Sequence, residues 1–194
     1  MKKYTHKAMD NERALYMESD IELVDCSFTG PQDGESALKE CQNVVVSNTL
    51  FDLRYTLWRT NNIKATNIEM TENARSSVWY SNNVEFSGSK LHGVKIFRMC
   101  NNVVVKNCDV DSIEFGWNTK NIVVENTTMK SEYPFLRGEN ITVKNCVLDT
   151  KYPFQQTKHV LVDSCTIKAK DAFWDSEDVL VKNSTIIGDF LAWH

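Results

Sequence analysis

The feature that constrains this chain most is a phrase that returns at a fixed interval. It reads Asn102-Val103-Val104-Val105-Lys106-Asn107-Cys108, then Asn121-Ile122-Val123-Val124-Glu125-Asn126, then Asn140-Ile141-Thr142-Val143-Lys144-Asn145-Cys146. Later copies are His159-Val160-Leu161-Val162-Asp163-Ser164-Cys165 and Asp178-Val179-Leu180-Val181-Lys182-Asn183-Ser184. Anchored on the first β-branched residue, the copies begin at Ile21, Val44, Ile63, Val84, Val103, Ile122, Ile141, Val160 and Val179, and from Val84 onward every step is 19 residues. The earlier steps are 23, 19 and 21 residues; the surplus falls at Gly30-Pro31-Gln32-Asp33-Gly34 and near Glu72-Asn73-Ala74, both loop-like. A period of this length means a solenoid, whose units bury their apolar faces only against their neighbours.

The columns across copies describe one unit. The anchor is always Val or Ile, and two residues on stand Leu23, Val46, Ala65, Phe86, Val105, Val124, Val143, Val162 and Val181. Alternation in β-branched residues is the strand signal. Two further on the column is mostly Asn, which tolerates left-handed backbone and can bond an amide of the next coil at a corner. A second apolar column runs through Phe51, Met70, Leu91, Val110 and Met129, and a third, six residues before each anchor, through Leu38, Leu57, Val78, Phe97, Phe135, Phe154 and Phe173. Three apolar faces per coil, with polar corners, predict an all-β fold: a single-stranded right-handed parallel β-helix with coils of about 19 residues. No 3.6-residue or six-residue period competes with it. We expect residues 1–11 to be a lead-in or cap and residues 12–194 to form roughly nine and a half coils, the last incomplete, a rod ~45 Å long at ~4.8 Å per coil.

Composition narrows the partners. The net charge is −4 with no basic patch, which argues against nucleic acid. No apolar run reaches the ~18 residues that span a bilayer, and the N-terminus has lysines without an apolar stretch behind them. The expected compartment is the cytoplasm, and the six cysteines, Cys26, Cys41, Cys100, Cys108, Cys146 and Cys165, are expected to be thiols. No Cys-x-x-Cys pair and no pair of the four histidines has metal-ligand spacing, so neither a metal nor a cofactor is expected.

The phrases Lys170-Asp171-Ala172-Phe173-Trp174-Asp175-Ser176-Glu177-Asp178-Val179 and Asn73-Ala74-Arg75-Ser76-Ser77-Val78-Trp79-Tyr80 resemble coils of an uncharacterised bacterial β-helix family of the pectin-lyase-like superfamily. The resemblance covers the chain from Glu12 onward. It implies the fold and carries over no catalytic residue.

One column singles itself out for function. Just after the third apolar column stand Tyr16, Lys39, Trp58, Trp79, Arg98, Trp117, Leu136, Gln155, Trp174 and Trp193. Its Lys, Arg and Gln members say that it faces outward. The candidate ligand-binding set is Trp58, Trp79, Arg98, Trp117, Arg137 and Trp174, a Trp/Arg stripe suited to carbohydrate, because pyranose faces stack on indoles. An exposed apolar stripe also suits a protein interface, and the plain alternative is that these Trp merely stabilise a corner. Glu114, Asp171 and Asp175 lie near the stripe as carboxylates for a weaker hydrolase or lyase reading. The repeat breaks off at Phe190-Leu191-Ala192-Trp193-His194 without a capping helix. We therefore also expect an interaction solenoid, a homodimer through its C-terminal coils.

Overall fold

The computed structural model describes residues 1–30 and 35–193. Two ten-stranded parallel sheets run its length, and a third side carries a sheet of three short strands. The first side is built from the Val-x-Val phrases. Strands such as Gln42–Ser47, Asn101–Lys106 and Lys120–Glu125 have six residues each, the third and fifth buried, and Glu177–Lys182 is a six-residue strand without buried residues. The register is the sequence period itself: Val103 lies beside Ile122, Ile122 beside Ile141, and Ile141 beside Val160. The 23-residue step keeps this register, with Ile21 beside Val44. The surplus loop beyond Gly30 lies, at 31–34, outside the described residues.

The second side carries shorter strands, from Ala8–Met9 to Thr185–Leu191. Its inward column stacks Phe28 on Phe51 at 5.2 Å between ring centroids. Residues 2–9, read from sequence as lying outside the repeat, join both ladders: Lys2–Thr5 pairs with Ile21–Val24, and Ala8–Met9 with Ser27–Phe28. They form a polar rung over the first apolar coil. All six cysteines are buried as free thiols, and their Sγ atoms donate to nearby carbonyls, as Cys100 does to Val78 O at 2.8 Å.

The third side departs from the expected strand. Among the described residues its separate strands are Ile96–Arg98, Glu114–Trp117 and Tyr133–Pro134, and strands Thr166–Ala172 and Thr185–Leu191 of the second side run on into it. Elsewhere, alternate residues have left-handed backbone: Tyr55, Leu57 and Arg59, and again Ser76, Val78 and Tyr80, all with φ between 52° and 59°. This lets Leu57 N–H donate back to Ala37 O while Arg59 N–H donates forward to Trp79 O. Left-handed φ is unusual for a bulky residue and most so for β-branched Val78. Full burial of Leu57, Val78, Phe97 and Phe154 offsets that strain.

The corner amides also differ from expectation. Among the described residues the column four after the anchor shows one bond between its own members on successive coils, Asn67 Nδ2 to Asn48 Oδ1, while Asn183 donates to Asp163 of the neighbouring column. The continuous ladder sits one residue before the anchor. It runs Asp20, Asn43, Asn62, Asn83, Asn102, Asn121, Asn140, each amide donating to the preceding side chain at 2.8–3.0 Å. Both columns hold left-handed residues, which favours the Asn, Asp and Gly that fill most of their positions; the earlier one carries the continuous chain of side-chain bonds.

Candidate functional site

The stripe column lies on the third side, between the left-handed residues. Leu57 turns inward and Arg59 outward, and Trp58 between them is half-buried. Trp79, Arg98 and Trp117 repeat that position one coil at a time. Strand pairing sets Arg98 beside Trp117, and an isolated bridge sets Trp79 beside Arg98. The side chains form one continuous stack. Trp58 lies on Trp79 with centroids 5.3 Å apart and planes 14° apart. The Arg98 guanidinium is 4.9 Å from the Trp79 ring and 5.3 Å from the Trp117 ring. Lys39 Nζ lies 5.9 Å over Trp58 at the other end. Tyr80 leans edge-on against both Trp58 and Trp79, and Arg59 lies over Tyr80.

The indole N–H groups are spent within the chain. Trp58 Nε1 donates to Ser76 O at 2.5 Å, Trp79 Nε1 to Lys95 O at 2.7 Å and Trp117 Nε1 to Tyr133 O at 2.6 Å. Each bond reaches the same column of the following coil, so the Trp rungs fasten coil to coil. The faces are spent as well, against the neighbouring rung. What remains outward are ring edges and cations. Stacking engages the π face of a guanidinium and leaves its in-plane N–H groups free. Among the described residues neither Arg98, Arg59 nor Lys39 has a carboxylate within ion-pair distance.

The structure thus joins four of the six candidates, Trp58, Trp79, Arg98 and Trp117. Arg137 and Trp174 stand apart, because Leu136 and Gln155 interrupt the column. The exposed Arg137 donates from Nε to Gln156 Oε1 at 2.8 Å, and Trp174 is half-buried two coils further on. Lys39, Arg59 and Tyr80 complete the stack. Lys39 stands in the column itself; Arg59, which flanks the stripe in the sequence, and Tyr80 sit one residue later, where the left-handed backbone brings them alongside.

The carboxylates near the stripe do not form a pair. Glu114 is 3.2 Å from Lys95. Asp171 occupies the same column three coils later, ~14 Å away at ~4.8 Å per coil, beyond the separation at which two carboxylates flank one glycosidic bond. Asp175 is exposed. A shallow groove of about 390 Å³ lies on the next corner, lined by Asp111, Ile113, Lys130, Glu132, Asp149 and Lys151. Its charges are paired on neighbouring coils: Lys130 with Asp111, Lys151 with Glu132, and Asp149 with Lys168; beyond the groove His92 pairs with Asp109. Bonds from His92 and Thr128 hold the Asp109 carboxyl below its ordinary range. His6 and His159 likewise face Asp25 and Asp178, while His194 lies outside the described residues. Among the described residues no three His, Cys, Asp or Glu side chains converge on a metal position, and no helix is long and apolar enough to cross a membrane.

A family model described as "Protein of unknown function (DUF3737)" matches residues 2–194. The chain belongs to the DUF3737 family. No curated protein matches it. Two solved structures of PfbA, a surface adhesin of Streptococcus pneumoniae, are similar to this DUF3737 chain. One has a TM-score of 0.47 at 10% identity, covering 95% of this chain and 77% of its own. The other has a TM-score of 0.44 at 11% identity, covering 98% and 69%.

Proposed function

We propose that this DUF3737 protein is a recognition solenoid that binds carbohydrate along the Lys39–Trp117 stack of its third side. The observation that carries the reading is Arg98, whose guanidinium donors are held between two indoles with no carboxylate within ion-pair distance among the described residues. Ligand hydroxyl and carboxylate groups meet these donors, and ring edges of Trp58, Trp79 and Trp117 supply apolar contact. Because the indole faces are already covered, the contact is lateral rather than by stacking. The site is pre-organised, so binding orders few side chains. We place the protein in the cytoplasm; its free thiols, buried along the core, support a reducing compartment.

The test is a glycan array followed by a titration of intrinsic Trp fluorescence. A bound glycan should quench or shift emission in the wild type. In Arg98→Gln the same titration should weaken about tenfold or more, the scale of one lost charged hydrogen bond. A response from no glycan, or an unchanged titration in Arg98→Gln, would sink the reading.

A further inference from the structure

The column five after the anchor runs Cys26, Thr49, Ile68, Ser89, Cys108, Thr127, Cys146, Cys165, Ser184. Two of its thiols, Cys146 and Cys165, stand on successive coils. The other cysteines have no such neighbour: Cys108 lies between Ser89 and Thr127, Cys26 is followed by Thr49, and Cys41 and Cys100 share another column with Thr60 and Ser81 between them. Cys146 follows strand Glu139–Lys144 and Cys165 follows Lys158–Asp163, each in the turn from the first side to the second. Bonds between the coils fix the register around the pair. Asn145 N–H donates to Asp163 O, and Thr166 N–H to Cys146 O, both at 3.0 Å. Stacking at ~4.8 Å per coil puts the two Cα atoms inside the ~4.4–6.8 Å range of disulfides. Cys165 Sγ lies 3.5 Å from Val143 O of the preceding coil, so it leans toward Cys146, and the two side chains hydrogen-bond to each other. The S–H that Cys146 donates stabilises the Cys165 thiolate and holds that thiol down to about 7. Both residues are covered, at 2% and 3% exposure. Their cover is thin, because Asn145 and Ser164 just before them and Val147 and Thr166 just after are exposed.

We propose that Cys146 and Cys165 are an oxidation site, a dithiol that hydrogen peroxide converts into a disulfide between successive coils. In a compartment that keeps thiols reduced the pair rests as the dithiol. The thiolate is the reactive form of a cysteine, so Cys165 is the sulfur that attacks. It takes one peroxide oxygen, the O–O bond breaks, and Cys165 becomes a sulfenic acid. The departing hydroxide takes up the proton that Cys165 had released and leaves as water. The Cys146 sulfur, giving up its own proton, then attacks the Cys165 sulfur and displaces the hydroxyl as a second water. Two thiols and one hydrogen peroxide thus give one disulfide and two waters; the sulfurs are oxidised and the peroxide oxygens reduced. Local opening of the corner admits a molecule as small as peroxide. The product ties together two coils that backbone hydrogen bonds otherwise hold at this corner.

The folded protein, exposed to hydrogen peroxide, quenched in acid and digested with trypsin without reductant, should yield peptide 145–151 joined to peptide 159–168. The intact mass should fall by two hydrogens, and dithiothreitol should separate the peptides. Cys146→Ser removes the second thiol, so mass spectrometry should find added oxygen on Cys165 in that variant. Cys165→Ser should leave Cys146 unoxidised over the same exposure. Serine already fills this column at Ser89 and Ser184, so both variants should keep the wild-type circular dichroism spectrum. Absence of the joined peptides, oxidation of Cys108 as fast as of the pair, or identical behaviour of the two serine variants overturns the proposal. None of these readouts involves a glycan, so they stand apart from the test of the stripe.

Discussion

Arg98 lies between the indoles of Trp79 and Trp117, and this makes it structural and available at once. Each cation–π contact at a half-exposed site contributes ~0.5–1 kcal/mol, so Arg98→Ala should lower stability by ~1–2 kcal/mol in urea unfolding. Arg98→Lys keeps the charge and loses the planar fork. It should recover part of that stability while leaving glycan binding as weak as in Arg98→Gln; full recovery of binding would show that charge alone suffices. Cys100 gives a second expectation at this scale. Burial pushes its thiol from about 9 up to about 12. In the unfolded chain it ionises near 9, so its contribution to stability is complete below pH 9 and is lost as pH rises toward 12. Cys100→Ser should remove that alkaline loss, because the rungs above and below are Ser81 and Thr119, both buried. Thermal melting at pH 7 and pH 10 checks it: the drop between the two should be smaller in the variant. The column showed which residues share a rung. It did not show that the Arg98 guanidinium would lie between the indoles, because a long Arg stem can follow an apolar surface while its head stays wet, and column membership says nothing of rotamer.

Among the elements, the corner ladder from Asp20 to Asn140 is the most regular. Its residues combine two requirements, a left-handed backbone and an amide that both donates and accepts. Asn102, at φ 56°, donates to Asn83 and accepts from Asn121. Asn102→Gly should keep the backbone and lose the bonds, and Asn102→Ala should lose both. With ~1–2 kcal/mol for a left-handed Ala and ~0.5–1.5 kcal/mol per bond, Ala should be the more damaging of the two by urea unfolding. Equal losses would mean that the backbone is relaxed there. In the other corner column Gly88 stands among asparagines at φ 57°, with nothing within 4 Å of an added Cβ. Gly88→Ala should therefore cost ~1–2 kcal/mol in urea unfolding, from left-handed strain and not from crowding. The first two sides were legible because inward Val and Ile at alternate positions leave no other periodicity. The third was not, since Leu57, Val78 and Phe97 form an apolar column whether their backbone is strand or left-handed turn. Side chains fix the face, and the backbone between two coils is set by where the carbonyls of both neighbours lie.

For the whole molecule, the consequence of stacking is that each coil is held by two neighbours except at the ends. Stability is then a sum of coil and interface terms, and opening starts where one interface is missing. Hydrogen exchange should be slowest in Asn101–Lys106 and Lys120–Glu125, at the middle of the first side, and faster toward both ends. Lys2–Thr5 is a polar rung that buries little and should exchange about tenfold faster or more than the central strands, equivalent to ~1.4 kcal/mol. Uniform rates over all ten rungs would mean that the solenoid opens only as a whole, and would contradict the nearest-neighbour picture.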